Sequence, residues 1–123
     1  MIKKIAFKDL LPIMDDMKKD GILLSEKATI FGYYDNGILV AVTGVIFQGK
    51  KAYFKMSYTI PSMRKRGIFR KLLAHCISYS KSKGIKSGYA NCTESSINTY
   101  LSFGGIVTKE YKNGIKRVEY AVL

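Results

Sequence analysis

The chain has 123 residues, of which 47% are hydrophobic and 12% aromatic, and its formal net charge is +12. This composition excludes a disordered chain, and the length suits one packed core, so a single domain over residues 1–123 is expected. The charge suits an anionic cofactor, nucleic acid or an acidic protein as partner. Most of the lysines, however, are dispersed along the chain as solvated side chains.

In chain order, Ile2 to Phe7 reads as a first strand. Lys8 to Lys19 places Leu10, Leu11, Ile13, Met14 and Met17 on one helical stripe, which Gly21 ends. Thr29 to Tyr34 and Ile38 to Phe47 read as strands around Asp35-Asn36-Gly37, a hairpin turn because Asn-Gly tolerates positive φ. After Gln48-Gly49-Lys50-Lys51, Ala52 to Ile60 returns as a third antiparallel strand. Ile68 to about Lys83 carries Phe69, Leu72, Leu73, Cys76 and Ile77 at the three-four spacing of a core-facing helix, with Gly84 at its end. Gly88 to Thr93 reads as a strand and Glu94 to Phe103 as a short helix closed by Gly104-Gly105. Ile106 to Tyr111 and Lys116 to Val122 form a terminal hairpin around Asn113-Gly114.

This β-α-β-β-β-α-β-α-β-β order predicts an α+β, three-layer architecture: a mixed, mostly antiparallel sheet flanked by helices. No apolar run reaches the roughly 18 residues that a membrane span needs, so no membrane partner is expected. The N-terminal residues lack the apolar stretch of a secretory signal. Cys76 and Cys92 are far apart and form no CxxC, which suits reduced thiols and a cytoplasmic location. One histidine, two distant cysteines and scattered acids give no metal-ligand spacing.

The segment from Tyr58 through Pro61, Arg64-Lys65-Arg66-Gly67 and Ile68-Phe69-Arg70-Lys71 to Leu73 carries the most chemistry. A strand ends at a proline, a basic turn with one glycine follows, and a helix opens. Amides at a helix start lack intrahelical partners and sit at the positive end of the peptide dipoles, so phosphate binds there. Gly67 lets a ligand approach the backbone.

The Arg64-x-x-Gly67-x-Phe69 spacing with Pro61 three residues earlier resembles the acyl-CoA signature of the GNAT N-acetyltransferases, and the element order resembles the GNAT fold over essentially the whole chain. The resemblance implies acetyl-CoA as cofactor and transfer of its acetyl group to a primary amine. It places the cofactor on Arg64, Lys65, Arg66, Gly67, Ile68, Phe69 and Arg70, and on strand amides around Tyr58, Thr59 and Ile60 that would polarise the thioester carbonyl. Asn98-Thr-Tyr100-Leu-Ser-Phe103-Gly104-Gly105 resembles the second family motif. It implies Tyr100 as the acid that returns a proton to the leaving thiolate, a role suited to a phenol that is neutral at pH 7. Asn91 or Thr93 is implied for the pantetheine arm.

The chain also departs from the family pattern. Gly105 stands where phenylalanine is usual, and no carboxylate lies in Ala52–Ile60 to act as base. Glu94 at a helix start is more simply explained by the dipole, and His75 by a surface position. The short stretch before Thr29 implies that a family helix is reduced or missing, which leaves the acceptor open: protein, nucleic acid or small amine. An oligomer is compatible with all of this. The alternative reading is a non-catalytic GNAT-like basic module that binds nucleic acid or protein.

Overall fold

A computed structural model describes residues 1–123. β1 (Ile2–Ile5) leads through a 3-10 turn (Phe7–Leu10) into α1 (Leu11–Lys19), where Pro12 occupies the first turn without losing a needed donor. β2 (Thr29–Asp35), β3 (Ile38–Gln48) and β4 (Lys51–Thr59) follow as an antiparallel meander. The turn between β2 and β3 has Asn36 at φ 50° and Gly37 at φ 78°, the geometry that matches strand twist. α2 (Ile68–Ser82) crosses over to β5 (Ser87–Cys92), and α3 (Ile97–Ser102) and the hairpin of β6 (Ile106–Glu110) and β7 (Lys116–Tyr120) complete the chain.

The seven strands form one sheet in the order β1-β2-β3-β4-β5-β7-β6, in which only β4 and β5 run parallel. This is the mixed, mostly antiparallel sheet expected from the element order. α2 covers one face, burying Ile68, Leu72, Leu73 and Cys76 against Phe31, Val45, Phe54 and Ala90. Each such fully buried leucine contributes roughly 1.5–3 kcal/mol. α1 covers part of the other face, where Leu10, Ile13 and Met17 pack on Ile30, Val42 and Tyr58. No helix forms between Lys19 and Thr29, in keeping with the short stretch there.

Two local features of β4 position the candidate site. The strand is bulged: Val42 pairs with Tyr58 and Gly44 with Lys55, so Met56 and Ser57 together face Thr43, and Met56 takes φ 61°. That left-handed backbone costs a non-glycine residue roughly 1–2 kcal/mol. The bulge also shifts the strand's alternation. Phe54 lies in the α2-side core, whereas Met56 and Tyr58 lie in the α1-side core. The second feature is a split in the sheet. β4 and β5 pair only from Lys51↔Ser87 to Phe54↔Ala90, and beyond that point Asn91 and Cys92 pair with β7 alone.

Several boundaries differ from the sequence reading. The last helix begins at Ile97 rather than Glu94, because Thr93 to Ser96 fold into a hydroxyl-bonded turn. Glu94 is exposed in that turn, so a helix dipole does not account for it. β1 stops at Ile5 and β7 at Tyr120.

Candidate active site

The bend between β4 and α2 is built by two residues with left-handed backbone, Lys65 at φ 63° and Gly67 at φ 76°. Pro61 opens a short 3-10 turn, which Arg64 closes by donating its N–H to the Pro61 carbonyl. From Lys65 to Arg70, no backbone N–H donates to any protein acceptor. A Cβ built on Gly67 meets nothing within 4 Å, so the bend opens to solvent and its own side chains do not plug it. A row of unpartnered donors at a helix start is a chemical fit for an anion such as a diphosphate.

The charges around this bend divide into two groups. Arg64 folds back: its Nε donates to the Thr59 carbonyl at 2.8 Å, its guanidinium lies over the Tyr58 ring, and it reaches the Asp20 carboxylate at 3.5 Å. Arg70 turns toward α3, lying 4.7 Å from the Phe103 centroid and donating to the Ser102 hydroxyl. Both arginines therefore hold the bend in place. Lys65, Arg66 and Lys71 are exposed and unpaired, and they supply the free positive charge.

The strand amides expected to be open are not equivalent. Ile60 donates its N–H to the Val40 carbonyl, which removes it from the expected set. Tyr58 pairs with Val42 and faces β3 in the same way. Thr59 lies between them, and by the alternation of an antiparallel strand its N–H points to the edge that β5 has left. Pairing with β3 thus selects one of the three.

Tyr100 projects from α3 into the core beside this split and is 3% exposed. Its ring stands edge-on to Phe69, and its carbonyl accepts a hydrogen bond from the Tyr120 hydroxyl. Burial pushes the phenol pKa well above that of a free tyrosine, and the facing Ser57 hydroxyl pulls it partly back. The Ser57 hydroxyl lies 2.8 Å from the buried Thr43 hydroxyl, so a line of hydroxyls runs from β3 across the bulge toward Tyr100. Sequence reasoning missed Ser57 and Thr43, because nothing local announces a bulge.

Other expected residues fall elsewhere. Asn91 is exposed on β5, on the face opposite Ala90, Cys92 and the bend, so its side chain does not share the cleft with Tyr100. Thr93 bonds Ser95 and Ser96. His75 is exposed on α2 with its ring edge toward Phe31 at 4.8 Å. Gly105 has no room for the phenylalanine usual at that place: a Cβ there would collide with Val118 and press on the Tyr100 carbonyl at 3.1 Å. No helix is long and apolar enough to cross a membrane.

The profile of the acetyltransferase (GNAT) family matches residues 5–104, which span both the bend and Tyr100. The chain belongs to the GNAT acetyltransferase family. Solved GNAT structures agree in fold. The PaiA N-acetyltransferase from Thermoplasma acidophilum, in complex with coenzyme A, gives a TM-score of 0.78 at 16% identity, covering 97% of this chain and 96% of that one. The ribosomal-protein-S18-alanine N-acetyltransferase from Escherichia coli gives 0.77 at 17% identity, over 97% and 90%. An N-acetyltransferase from Staphylococcus aureus gives 0.79 at 19% identity, over 98% and 96%. No curated protein matches the chain by sequence at a significant level.

Proposed function

We propose that this GNAT protein is an N-acetyltransferase that moves the acetyl group of acetyl-CoA to a primary amine. The observation that carries this reading is the unbroken row of free amides from Lys65 to Arg70, on the strand-to-helix bend next to the β4–β5 split. Coenzyme A is bound in the related Thermoplasma structure.

Acetyl-CoA supplies the acyl carbon as an activated thioester. In this reading the Lys65–Arg70 amides, with Lys65, Arg66 and Lys71 nearby, hold the diphosphate, and the Thr59 N–H donates to the thioester carbonyl oxygen. A C–N bond forms as the C–S bond breaks, and the amine's surplus proton leaves to solvent. The Tyr100 phenol gives its proton to the departing sulfur and regains one through Ser57. β4 offers no carboxylate to the split, so the amine enters already neutral.

The test is thermal stabilisation by acetyl-CoA against ATP, paired with release of free CoA thiol when amines are added. A ligand at about 100 times its Kd adds roughly 2.7 kcal/mol to stability. Selective stabilisation with amine-dependent thiol release supports the reading, and equal responses to acetyl-CoA and ATP overturn it. A second reading, a non-catalytic module for nucleic acid or protein, draws on the missing β4 carboxylate and the +12 charge. Its mark is affinity that falls steeply between low and moderate salt, without thiol release.

A further inference from the structure

The sheet is covered unequally. On the α1 face, the first half of β4 together with β5 and β7 lies beyond the residues that α1 buries. Four side chains form a column across this open ground. The Lys55 ammonium lies 5.5 Å from the Tyr53 centroid, and Tyr53 stacks on Tyr89 with centroids 4.7 Å apart and planes within 6°. The Arg117 guanidinium closes the column 4.0 Å from the Tyr89 centroid.

The ring faces in this column are taken by one another and by the cations, so a nucleobase finds little to stack on. What remains available is the N–H fork of a stacked guanidinium and the heads of nearby lysines. Glu119 takes one terminal nitrogen of Arg117 at 3.3 Å, and no other Arg117 N–H has a protein acceptor. The Thr108 hydroxyl and then Arg117 hold the Glu119 carboxyl below its usual range, so it stays ionised. Lys51, 5.9 Å from the Tyr89 centroid, and Lys109, paired in register with Arg117, leave the patch positive.

The column's position ties it to the chemistry. Lys55 is the first β4 residue past the last β4–β5 pair, and Asn91, the first on β5, pairs with Arg117. Arg117 therefore stands one strand spacing, about 4.8 Å, from the rim of the split. It lies on the face away from α2, which the bend opens. We propose that this column is the acceptor subsite and that it selects amines carrying a carboxylate or phosphate a few bonds from the nitrogen. The inference rests on the acetyl-transfer reading above. The anion docks on the free N–H fork of Arg117 while the amine enters the split, and the Lys55 ammonium at the other end of the column adds to the positive field; diamines, which bring only positive charge, are repelled.

The test compares matched acceptors at saturating acetyl-CoA: glycine with glycinamide, β-alanine with its amide, ethanolamine phosphate with ethanolamine, and putrescine. The amides hold more free amine at a given pH, so basicity alone favours them. The expected result is a kcat/KM at least about 10-fold higher for the anionic member of each pair. Arg117→Gln brings that ratio close to one and Lys55→Met lowers it by a smaller factor, while acetyl-CoA still raises the Tm in both, and Arg117→Lys falls between wild type and Arg117→Gln.

Equal rates for acid and amide, preference for putrescine, or a preference that survives both variants overturns the proposal. So does a single-stranded oligonucleotide that binds through Arg117 while the acid-to-amide ratio is one, since the column is then a nucleic-acid surface. An absent acetyl-CoA shift overturns the acetyl-transfer reading as well, whereas a shift without acid preference overturns the subsite alone.

Discussion

The ring of Phe69, in the first turn of α2, stands edge-on to the ring of Tyr100 on α3, with centroids 5.6 Å apart and planes at 65°. Arg70 joins the same two helices through Phe103 and Ser102. The amide bend and the phenol are thus fixed to one another by neighbouring residues of a single helical turn. Phe69→Ala removes a half-buried ring and should cost about 2 kcal/mol, less than a fully buried phenylalanine. The matching fall in Tm is roughly 5–10 °C. With Tyr100 freed to reorient, kcat should fall more than the KM for acetyl-CoA rises, and an unchanged kcat would detach Phe69 from turnover.

Tyr100→Phe should keep the acetyl-CoA stabilisation and lower kcat by roughly 10²–10⁴, the range for loss of a positioned acid. Because burial holds the phenol proton more tightly than in a free tyrosine, the alkaline limb of kcat should show no tyrosine ionisation near pH 10. A variant with wild-type turnover would remove Tyr100 from the chemistry.

Cys76 and Cys92 are buried, and burial pushes each thiol up to about 12 from an ordinary 9.0. The folded state therefore keeps protons that the unfolded chain gives up. Stability from these groups is fully present below pH 9 and is lost as pH rises from 9 to 12. Urea denaturation at pH 8, 9, 10 and 11 should show falling midpoints, with a gentler slope in Cys76→Ala. Both thiols should also resist a disulfide reagent in the native protein at pH 8 and react on unfolding. Fast native labelling would contradict their burial.

Gly67 separates two effects in one place. Its φ of 76° makes any side chain strained although the space around it is open. Gly67→Ala should cost about 1 kcal/mol and largely retain acetyl-CoA stabilisation. Gly67→Asp, which adds a carboxylate where a diphosphate would rest, should abolish it. Equal stabilisation of both variants by acetyl-CoA in a thermal melt would move the phosphate elsewhere.

Much of this molecule was legible in order and type of element. The Asn36-Gly37 turn announced its hairpin, and the Leu72–Leu73–Cys76 stripe announced a helix that packs on the sheet. The bend was legible because Pro61 and Gly67 mark where a strand must stop and a helix start. What stayed hidden depends on partners far away in sequence. Met56 carries no sign that it will adopt a left-handed backbone, and the amides of Tyr58, Thr59 and Ile60 look alike until β3 claims two of them. The resemblance implies Arg64 and Arg70 for the cofactor, and only the fold shows that Arg64 also bonds the Thr59 carbonyl and Arg70 the Ser102 hydroxyl. The Arg117–Tyr89–Tyr53–Lys55 column joins three strands that no local pattern connects.

The single added residue in β4 acts as a phase shift along the strand. Before it, every second side chain feeds the layer beneath α2; after it, the same count feeds the layer beneath α1. Trimming one position between Phe54 and Tyr58 would leave composition nearly untouched, yet it would exchange the inside and outside of everything downstream to Pro61. Tolerance to insertions and deletions in this protein should therefore drop sharply at that point, while the Gly49 and Gly114 hairpin tips on either side accept them.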